Sequence, residues 1–288
     1  MIPWFVLVLA SAVLEATSNV IRKHVLNHEH ALEQLAVEAI PRLALALLLI
    51  PFLVGTGWQE KTLIYCTSIL LASALLYRNK GYRHLPISTV SPLFNFSPVI
   101  LLLLAILLLN EQPTALQLLG IGFVVLGGYA LDLRTKDLLA PFRKAAKSPY
   151  SAAIILGLVL FSFMALVDKI LLDQQAYPVV DYLFWLYIFL GINTLLIHWW
   201  WYGLGDIKED LRKGWYWQLA IAACSIVGIL FFYQAIQRPE VLIALAVPVR
   251  RTSTLLEVII GGRIFKEKNL LQKSVATGIM ILGVLLIV

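Results

Sequence analysis

The sequence carries little charge for its length. Only 14% of its 288 residues are Asp, Glu, Lys or Arg, whereas 60% are hydrophobic. A soluble domain covers its surface with charged groups that make up roughly a quarter of its residues. The shortage of charge excludes an ordinary soluble protein and predicts a surface that largely faces lipid.

Residues for metal, disulfide or covalent chemistry are also scarce. The two cysteines, Cys66 and Cys224, lie in apolar runs without the spacing of a zinc site or a disulfide framework. A Walker-type loop, an HExxH motif and a GxSxG motif are all missing. We therefore expect no cofactor, no metal and no enzymatic activity.

Long apolar runs are what the sequence does have. Ten runs have the length, about 17 to 25 residues, that a helix needs to cross the core of a bilayer. They are 4–21, 37–54, 62–78, 87–109, 115–132, 151–172, 180–202, 215–236, 241–262 and 272–288. Because no basic residue precedes the first run, we expect it to stay as a helix and not to be cleaved as a signal peptide. The sequence predicts an all-α membrane protein with ten transmembrane helices, whose main surroundings are the lipid bilayer.

Basic residues sort to one side of this arrangement. The face that both chain ends share carries Lys61 and Arg238, whereas the opposite face carries the clusters around Arg22, Arg134 and Arg263. Short basic clusters between apolar runs are typical of topology signals and not of nucleic-acid binding. We expect a multi-pass protein of a prokaryotic-type plasma membrane, with cytoplasmic basic loops, both termini outside and no nucleic-acid partner.

The longest polar connection, Leu133 to Pro149, divides the chain into halves of five spans each. We predict a first five-helix repeat over 1–133, a connecting loop over 134–149 and a second repeat over 150–288. An offset of 156 residues aligns the ends of the halves, and an offset of 146 pairs Lys23 with Lys169. The pairs at offset 156 are Pro92 with Pro248, Ser97 with Ser253, Glu111 with Glu267, Gly122 with Gly278 and Gly127 with Gly283.

Two homologous halves with an odd number of spans must lie in opposite orientations in the membrane. Inverted repeats are the architecture of secondary transporters, which bind a small substrate at the repeat interface near the midplane and work by alternating access. The alternative is a structural or receptor-like membrane protein without transport activity. The four aligned glycines predict close contact of the fifth and tenth spans, either at the repeat interface or in a homodimer.

The motifs also carry a resemblance to a known family. The segment Ser91–Pro98, the pair Asn110-Glu111 and the helix with Gln117, Gly122 and Gly127 resemble the C-terminal part of an EamA repeat of the drug/metabolite transporter superfamily. The stretch from Pro248 to Gly283 is similar to the same pattern. The resemblance implies a ten-helix bundle in which the third, fourth, eighth and ninth helices line a central cavity. It also implies transport of metabolites such as amino acids, nucleotide sugars or phosphorylated sugars.

Arg250 and Arg251 lie near the middle of the ninth span, where an arginine is costly unless it faces a partner or a cavity. Guanidinium groups present a planar fork that fits phosphate or carboxylate, so we predict that this pair binds an anionic substrate. The pair is also similar in position to the basic pair in the phosphate-translocator branch of the superfamily, which implies phosphate binding. Alternatively, the arginines pair with Glu15 or Glu257 and only fix helix packing.

Further polar residues are candidates for the cavity wall. Thr254 and Glu257 lie on the same helix stripe as Arg250. Arg78 and Lys80 end the third span and are candidates for the mouth of the cavity, or they serve topology and the helix dipole. Asn95 lies between two prolines and is a candidate for substrate contact. The prolines that we expect to kink helices at a wall or gate are Pro92, Pro98 and Pro248.

Glu15 lies within the first span and is a candidate proton carrier or a partner of the arginines. A glutamate in the first helix also resembles that of the small multidrug-resistance branch, which implies binding of protons and cationic drugs. The second candidate function is therefore proton-coupled export of neutral or cationic amino acids or drugs. We also expect Arg42 to pair with Glu38 or to reach the membrane interface.

Two interpretations concern local surroundings. We expect Asp168 and Lys169 to neutralise each other near a helix end. The aromatic run Trp199–Tyr202, followed by Trp215 and Trp217, is typical of an interfacial belt.

Overall fold

The structure, a computed structural model, describes residues 2–25, 31–84, 96–132, 150–203, 205–256 and 270–288. These residues form ten α-helices and no strand. The first five are α1 (Trp4–Val25), α2 (Ala31–Leu47), α3 (Trp58–His84), α4 (Ser97–Leu109) and α5 (Ala115–Asp132). The others are α6 (Ser151–Lys169), α7 (Val179–Tyr202), α8 (Gly205–Ile236), α9 (Ile243–Arg250) and α10 (Leu270–Ile287). The all-α prediction is confirmed for this part of the chain.

Most helices differ from the predicted spans at their ends, but α9 stops at Arg250, inside the predicted span 241–262, and the chain turns at Arg251 and Thr252. The second helix begins before the predicted 37 and stops at Leu47, because Pro51 lacks an N–H and the chain enters a short 3-10 turn at Ile50–Phe52. A π-turn over Ile170–Gln174 continues α6. α4 ends at Asn110, whose φ of 54° is a left-handed cap that asparagine tolerates.

Four helical segments are long and apolar enough, among the described residues, to cross a membrane on composition alone. They are Trp4–Arg22, Ala152–Gln174, Val179–Tyr202 and Gly214–Ile236. α4 and parts of α5 and α10 are apolar but shorter. α2 carries Glu38 and Arg42, both buried, so its polarity reflects interior contacts.

Helix packing joins the two halves of the chain throughout. α1 packs against α8 and α9, and α6 packs against α3 and α4. α2 lies against α7 and α8, and α3 lies against α7. α5 packs most extensively against α10. This scheme of partners stays the same when the first five helices are exchanged with the last five.

Glycines bring α5 and α10 together. A Cβ atom on Gly127 would lie 2.5 Å from Met280 Cγ, and one on Gly283 would lie 2.7 Å from the carbonyl oxygen of Gly120. The prediction of close contact is confirmed for Gly127 and Gly283. It is wrong for Gly122 and Gly278, where an added Cβ atom would meet no described neighbour within 4 Å. Gly120 was missed because no glycine aligns with it in the second half.

Two carboxylates form hydrogen bonds between loops of the first half and the first turns of helices in the second half. Asp181, in the first turn of α7, accepts hydrogen bonds from Val54 N (3.0 Å), Gly55 N (2.8 Å) and Thr56 Oγ1 (3.0 Å). Glu111 accepts from the backbone N–H groups of Ile243 (2.7 Å) and Ala244 (3.0 Å). Glu111 therefore satisfies donors that the first turn of α9 leaves unpaired.

An aromatic cluster marks one end of α7 and the neighbouring part of α8. Trp200 is 83% exposed, and Trp199, Trp201 and Tyr202 are also exposed. Trp215 and Trp217 are exposed as well. Exposed tryptophans at the end of an apolar helix agree with the predicted interfacial belt.

Candidate functional site

A cavity of about 360 Å³ lies between the two halves of the bundle. This volume is within the range of small-molecule sites. Its lining residues come from α1, α2, α3, α4, α6, α7, α8 and α9, and from Arg251 just after α9. The family resemblance implied the third, fourth, eighth and ninth helices, and the structure adds the first, second, sixth and seventh.

Arginines dominate the polar wall of this cavity. Within the described part of the chain, five of them line it, namely Arg22, Arg42, Arg78, Arg250 and Arg251. The acidic lining residues there are Glu15 and Asp168. Because guanidinium groups at membrane depth need a partner or a polar cavity, this concentration distinguishes the cavity from the apolar packing around it.

Arg250 pairs with the glutamate of the first helix. Its Nε atom lies 2.8 Å from Glu15 Oε2. Its guanidinium carbon lies 4.5 Å from the ring centroid of Phe232, in cation–π geometry. The side chains of Arg250 and Glu15 keep 21% and 24% of their surface exposed, so the pair still faces the cavity.

Arg251 points toward α4 and donates to the hydroxyl of Ser97 at 2.8 Å. The carboxylate of Glu15 interacts electrostatically with Arg251, Arg78 and Arg22 as well as with Arg250. The two adjacent arginines therefore reach different partners on one cavity wall, and Glu15 lies within the field of four guanidiniums.

A second ion-pair network surrounds the buried carboxylate of Glu38. Arg22 donates to Glu38 Oε1 at 2.9 Å and to Oε2 at 3.3 Å, and Arg42 also contacts Oε1. Arg22 further donates to Asn19 Oδ1 at 2.6 Å and to Ser18 Oγ at 3.1 Å. The expected Arg42–Glu38 pair is present.

The sequence pattern indicates only a topology signal for Arg22. In the structure Arg22 is buried and lines the cavity. The signal that would have identified it is the stripe Glu15, Ser18, Asn19 and Arg22, whose spacing of three and four residues places all four on one face of α1.

The other candidates from sequence are placed as follows. Arg78 lines the cavity, with its guanidinium carbon 5.5 Å from the ring centroid of Phe161. Lys80 is exposed outside the lining, with its ammonium 5.7 Å from the ring centroid of Tyr77. Thr254 is buried outside the lining and donates to the carbonyl of Arg251 at 2.5 Å.

The predicted kink residues are only partly described. Pro98 lies in the first turn of α4, where a missing N–H leaves no hydrogen bond unmade. Pro248 lies inside α9, two residues before Arg250. Asn95, Pro92 and Glu257 lie outside the described residues.

Asp168 has uncharged contacts, unlike the other two carboxylates of this region. Its Oδ1 accepts from the hydroxyl of Tyr182 at 2.6 Å, and its Oδ2 accepts from Tyr233 at 3.2 Å. Lys169 contacts Asp173 at 2.9 Å and donates to the carbonyls of Ile236 (2.9 Å) and Arg238 (3.0 Å).

The expectation that Asp168 and Lys169 neutralise each other is therefore wrong. Consecutive side chains on a helix point about 100° apart, so these two reach different neighbours. The two tyrosines were missed because only the tertiary fold brings α7 and α8 to α6.

Comparisons with known proteins agree with this fold. The model of the EamA-like transporter family matches residues 2–131 and again residues 149–288. No curated protein sequence matches the chain. A solved crystal structure, described only as that of a protein, matches 98% of this chain and 95% of its own length with a TM-score of 0.73 at 12% identity. That likeness shows the fold alone. Because the two family matches span nearly the whole chain, the protein belongs to the EamA-like transporter family, whose members are membrane transporters of small molecules.

Proposed function

We propose that the protein is a secondary active transporter that moves a small organic anion, phosphorylated or carboxylate, across the plasma membrane by alternating access. The observation that carries this proposal is the convergence of five arginines on one cavity. Guanidinium forks bind carboxylate and phosphate by two parallel hydrogen bonds.

The charge balance of the described residues supports an anionic ligand. Glu15 and Asp168 line the cavity, and Glu38 pairs with Arg22 and Arg42 at its edge. Even with all three carboxylates ionised, the five arginines leave two positive charges in excess. A bound anion would neutralise this excess, and it would do so where lipid and protein make an uncompensated charge costly.

The packing scheme supports the transport mechanism. Exchanging the first five helices with the last five preserves the main contact partners, as expected for two inverted repeats over 1–133 and 150–288 joined by 134–149. The cavity lies where the two halves meet, which is the position of the substrate in such architectures. Cytoplasmic basic loops and outside termini follow from the positive-inside rule. Since Gly127 and Gly283 join helices of one chain, these glycines give no support to a homodimer.

The second candidate, export of neutral or cationic amino acids or drugs, would need aromatic faces or a free carboxylate for a cation. Three aromatic faces at the cavity already carry guanidiniums: Arg250 over Phe232, Arg78 over Phe161, and Arg42 over Tyr187. Glu15, the proposed proton carrier of that mechanism, pairs with Arg250. These contacts favour the anion.

Thermal unfolding of the purified protein tests the proposal. The ligands are inorganic phosphate, phosphorylated sugars, carboxylates, neutral amino acids and cationic dyes, because a ligand that binds only the folded state raises the melting temperature. We expect stabilisation by anions, weakened about 10- to 100-fold in apparent affinity in Arg250→Gln and Arg251→Gln, since each removes a charged hydrogen-bonding group.

Arg238→Gln is the matched control, because Arg238 lies outside the cavity and donates to the Ile2 carbonyl. Cys224 lines the cavity and provides a second readout. In a Cys66→Ser background, anions should slow alkylation of Cys224. Cationic dyes are the opposing test. If they slow alkylation of Cys224 in the wild type and in both arginine variants, but not in Glu15→Gln, the anion proposal is overturned and the exporter is favoured.

A further inference from the structure

We propose that Asp168 is a proton-binding site of the cavity, through which the protein takes up a proton together with its anion. This inference rests on the proposed anion transport for its coupling role, but the proton site itself stands on the geometry of Asp168. The sequence pattern points to Glu15 and Glu257 for proton coupling, and not to this residue.

The carboxylates of the described cavity region differ in their partners. Glu15 lies 2.8 Å from Arg250, and Glu38 contacts both Arg22 and Arg42. An arginine in contact favours the ionised form of a carboxyl group. Glu15 and Glu38 are therefore poor candidates for binding a proton while these pairs persist.

Asp168 is 5% exposed and contacts the hydroxyls of Tyr182 and Tyr233. A tyrosine hydroxyl both donates and accepts hydrogen bonds. It can donate to an ionised Asp168, and it can accept from a protonated one after the hydroxyl rotates. The site therefore satisfies both protonation states with the same three side chains.

The groups that act directly on Asp168 come from α7, α8 and α9. Tyr182 of α7 and Tyr233 of α8 contact it, while Tyr187, Cys224 and Arg78 line the same cavity. Arg250, from α9, interacts electrostatically with Asp168. Lys169, the neighbour on α6, is turned toward Asp173 and the end of α8.

Arg250 connects this site to the anion site. It contacts Glu15 and lies within electrostatic range of Asp168. An anion bound to the arginines would add negative charge near Asp168 and would favour its protonation. Conversely, protonation of Asp168 would leave the arginine cavity one unit more positive and would strengthen anion binding. Because such coupling is reciprocal, proton and anion bind together.

Infrared spectroscopy of the protein reconstituted in lipid tests the proton site without any substrate. Acidification from about pH 9 to about pH 6 covers the range in which a buried carboxyl group that contacts no cation directly titrates, and it stays above the range of exposed carboxyl groups. We expect the carbonyl band of a protonated carboxylic acid to grow in the wild type, and the contribution of one carboxyl group to be missing from it in Asp168→Asn. Glu240→Gln, a change at an exposed loop position, is the control and should keep the band.

Tyr182→Phe and Tyr233→Phe give a second, finer readout. Each removes one donor to the ionised carboxylate, so the band should persist to higher pH, by about one pH unit for a hydrogen bond of ordinary strength. Melting temperatures check that each variant is folded. A band that is unchanged in folded Asp168→Asn would overturn the proton site.

Coupling is tested by thermal shift with inorganic phosphate at one fixed pH of about 8, so that the charge of phosphate is the same for each variant. Asn imitates the protonated form, so Asp168→Asn should bind phosphate about fivefold more tightly than the wild type, or tighter still, as a coupling free energy of ordinary size implies. Weaker binding would overturn the coupling. If phosphate and the other anions stabilise neither protein while the contribution of one carboxyl group is still missing from the band in Asp168→Asn, the proposed anion transport fails and the proton site stands.

Discussion

At the scale of single residues, the main feature is that one carboxylate forms ion pairs with two arginines. Glu38 is fully buried on α2 and contacts Arg22 of α1 and Arg42 of its own helix. Arg22 in turn reaches Ser18 and Asn19. The polar wall is therefore held by a network that crosses from α1 to α2, and its central member does not line the cavity.

The Glu38→Gln change should be strongly destabilising. It removes the negative charge that two buried guanidiniums share, and breaking a buried ion pair from one side costs about 3–5 kcal/mol. We expect a clearly lower melting temperature of the purified protein. Glu240→Gln, at an exposed position, should melt as the wild type does. A Glu38→Gln protein with unchanged melting temperature would show that the network contributes nothing to stability.

At the scale of helices, the glycines of α5 and α10 are not equivalent. Gly127 and Gly283 lie against the opposite helix, whereas Gly122 and Gly278 have open space at the position of a Cβ atom among the described residues. The four residues align as two pairs at one offset, so the sequence treats them alike. The rotation of each helix about its axis decides which glycine lies against the opposite helix and which lies beside open space.

Alanine substitutions at Gly127 and Gly122 should therefore differ in their effect on stability. Gly127→Ala forces a methyl group against Met280 and the carbonyl of Ala276, and overpacking of this kind costs about 1–3 kcal/mol. Gly122→Ala on the same helix should be neutral or more stable by up to about 1 kcal/mol, because alanine favours the helix. Urea or thermal unfolding of both variants provides the measurement. Equal destabilisation by the two changes would contradict the packing seen here.

At the scale of the whole molecule, the two halves are fastened to each other at the ends of their helices. Asp181 holds the connection between α2 and α3, and Glu111 holds the start of α9. Arg238 of the second half donates to the Ile2 carbonyl of the first. Within the second half, Lys169 ties the end of α6 to the end of α8. In the predicted topology, all these contacts lie on the face that carries both chain ends. The charge distribution predicts that this face is outside the cell.

A reporter enzyme that is active only outside the cytoplasm tests this orientation. Fused after Val288, the reporter should be active, because the basic loops hold the opposite face in the cytoplasm. The same reporter inserted in the connecting loop 134–149 should be inactive. The reverse pattern would mean that the positive-inside rule fails for this chain.

The sequence by itself determined the all-α membrane class of the protein and the approximate place of most described helices. It also predicts the inverted relation of the two halves and the position of Arg250 and Arg251 near mid-membrane. These follow from the length of apolar runs and from charges within them, which are properties of short segments. It also supplied Glu15 as one possible partner of the arginine pair.

The tertiary structure decided which partner each polar group takes. Ser97 and Arg251 are 154 positions apart, and Ser18 and Ser225 are 207 apart. No local pattern encodes such pairs, because helix rotation and the packing of one half against the other select them. For the same reason, the sequence pattern does not predict the tyrosine partners of Asp168 or the place of Arg22 in the cavity wall. It also does not distinguish the four aligned glycines from one another.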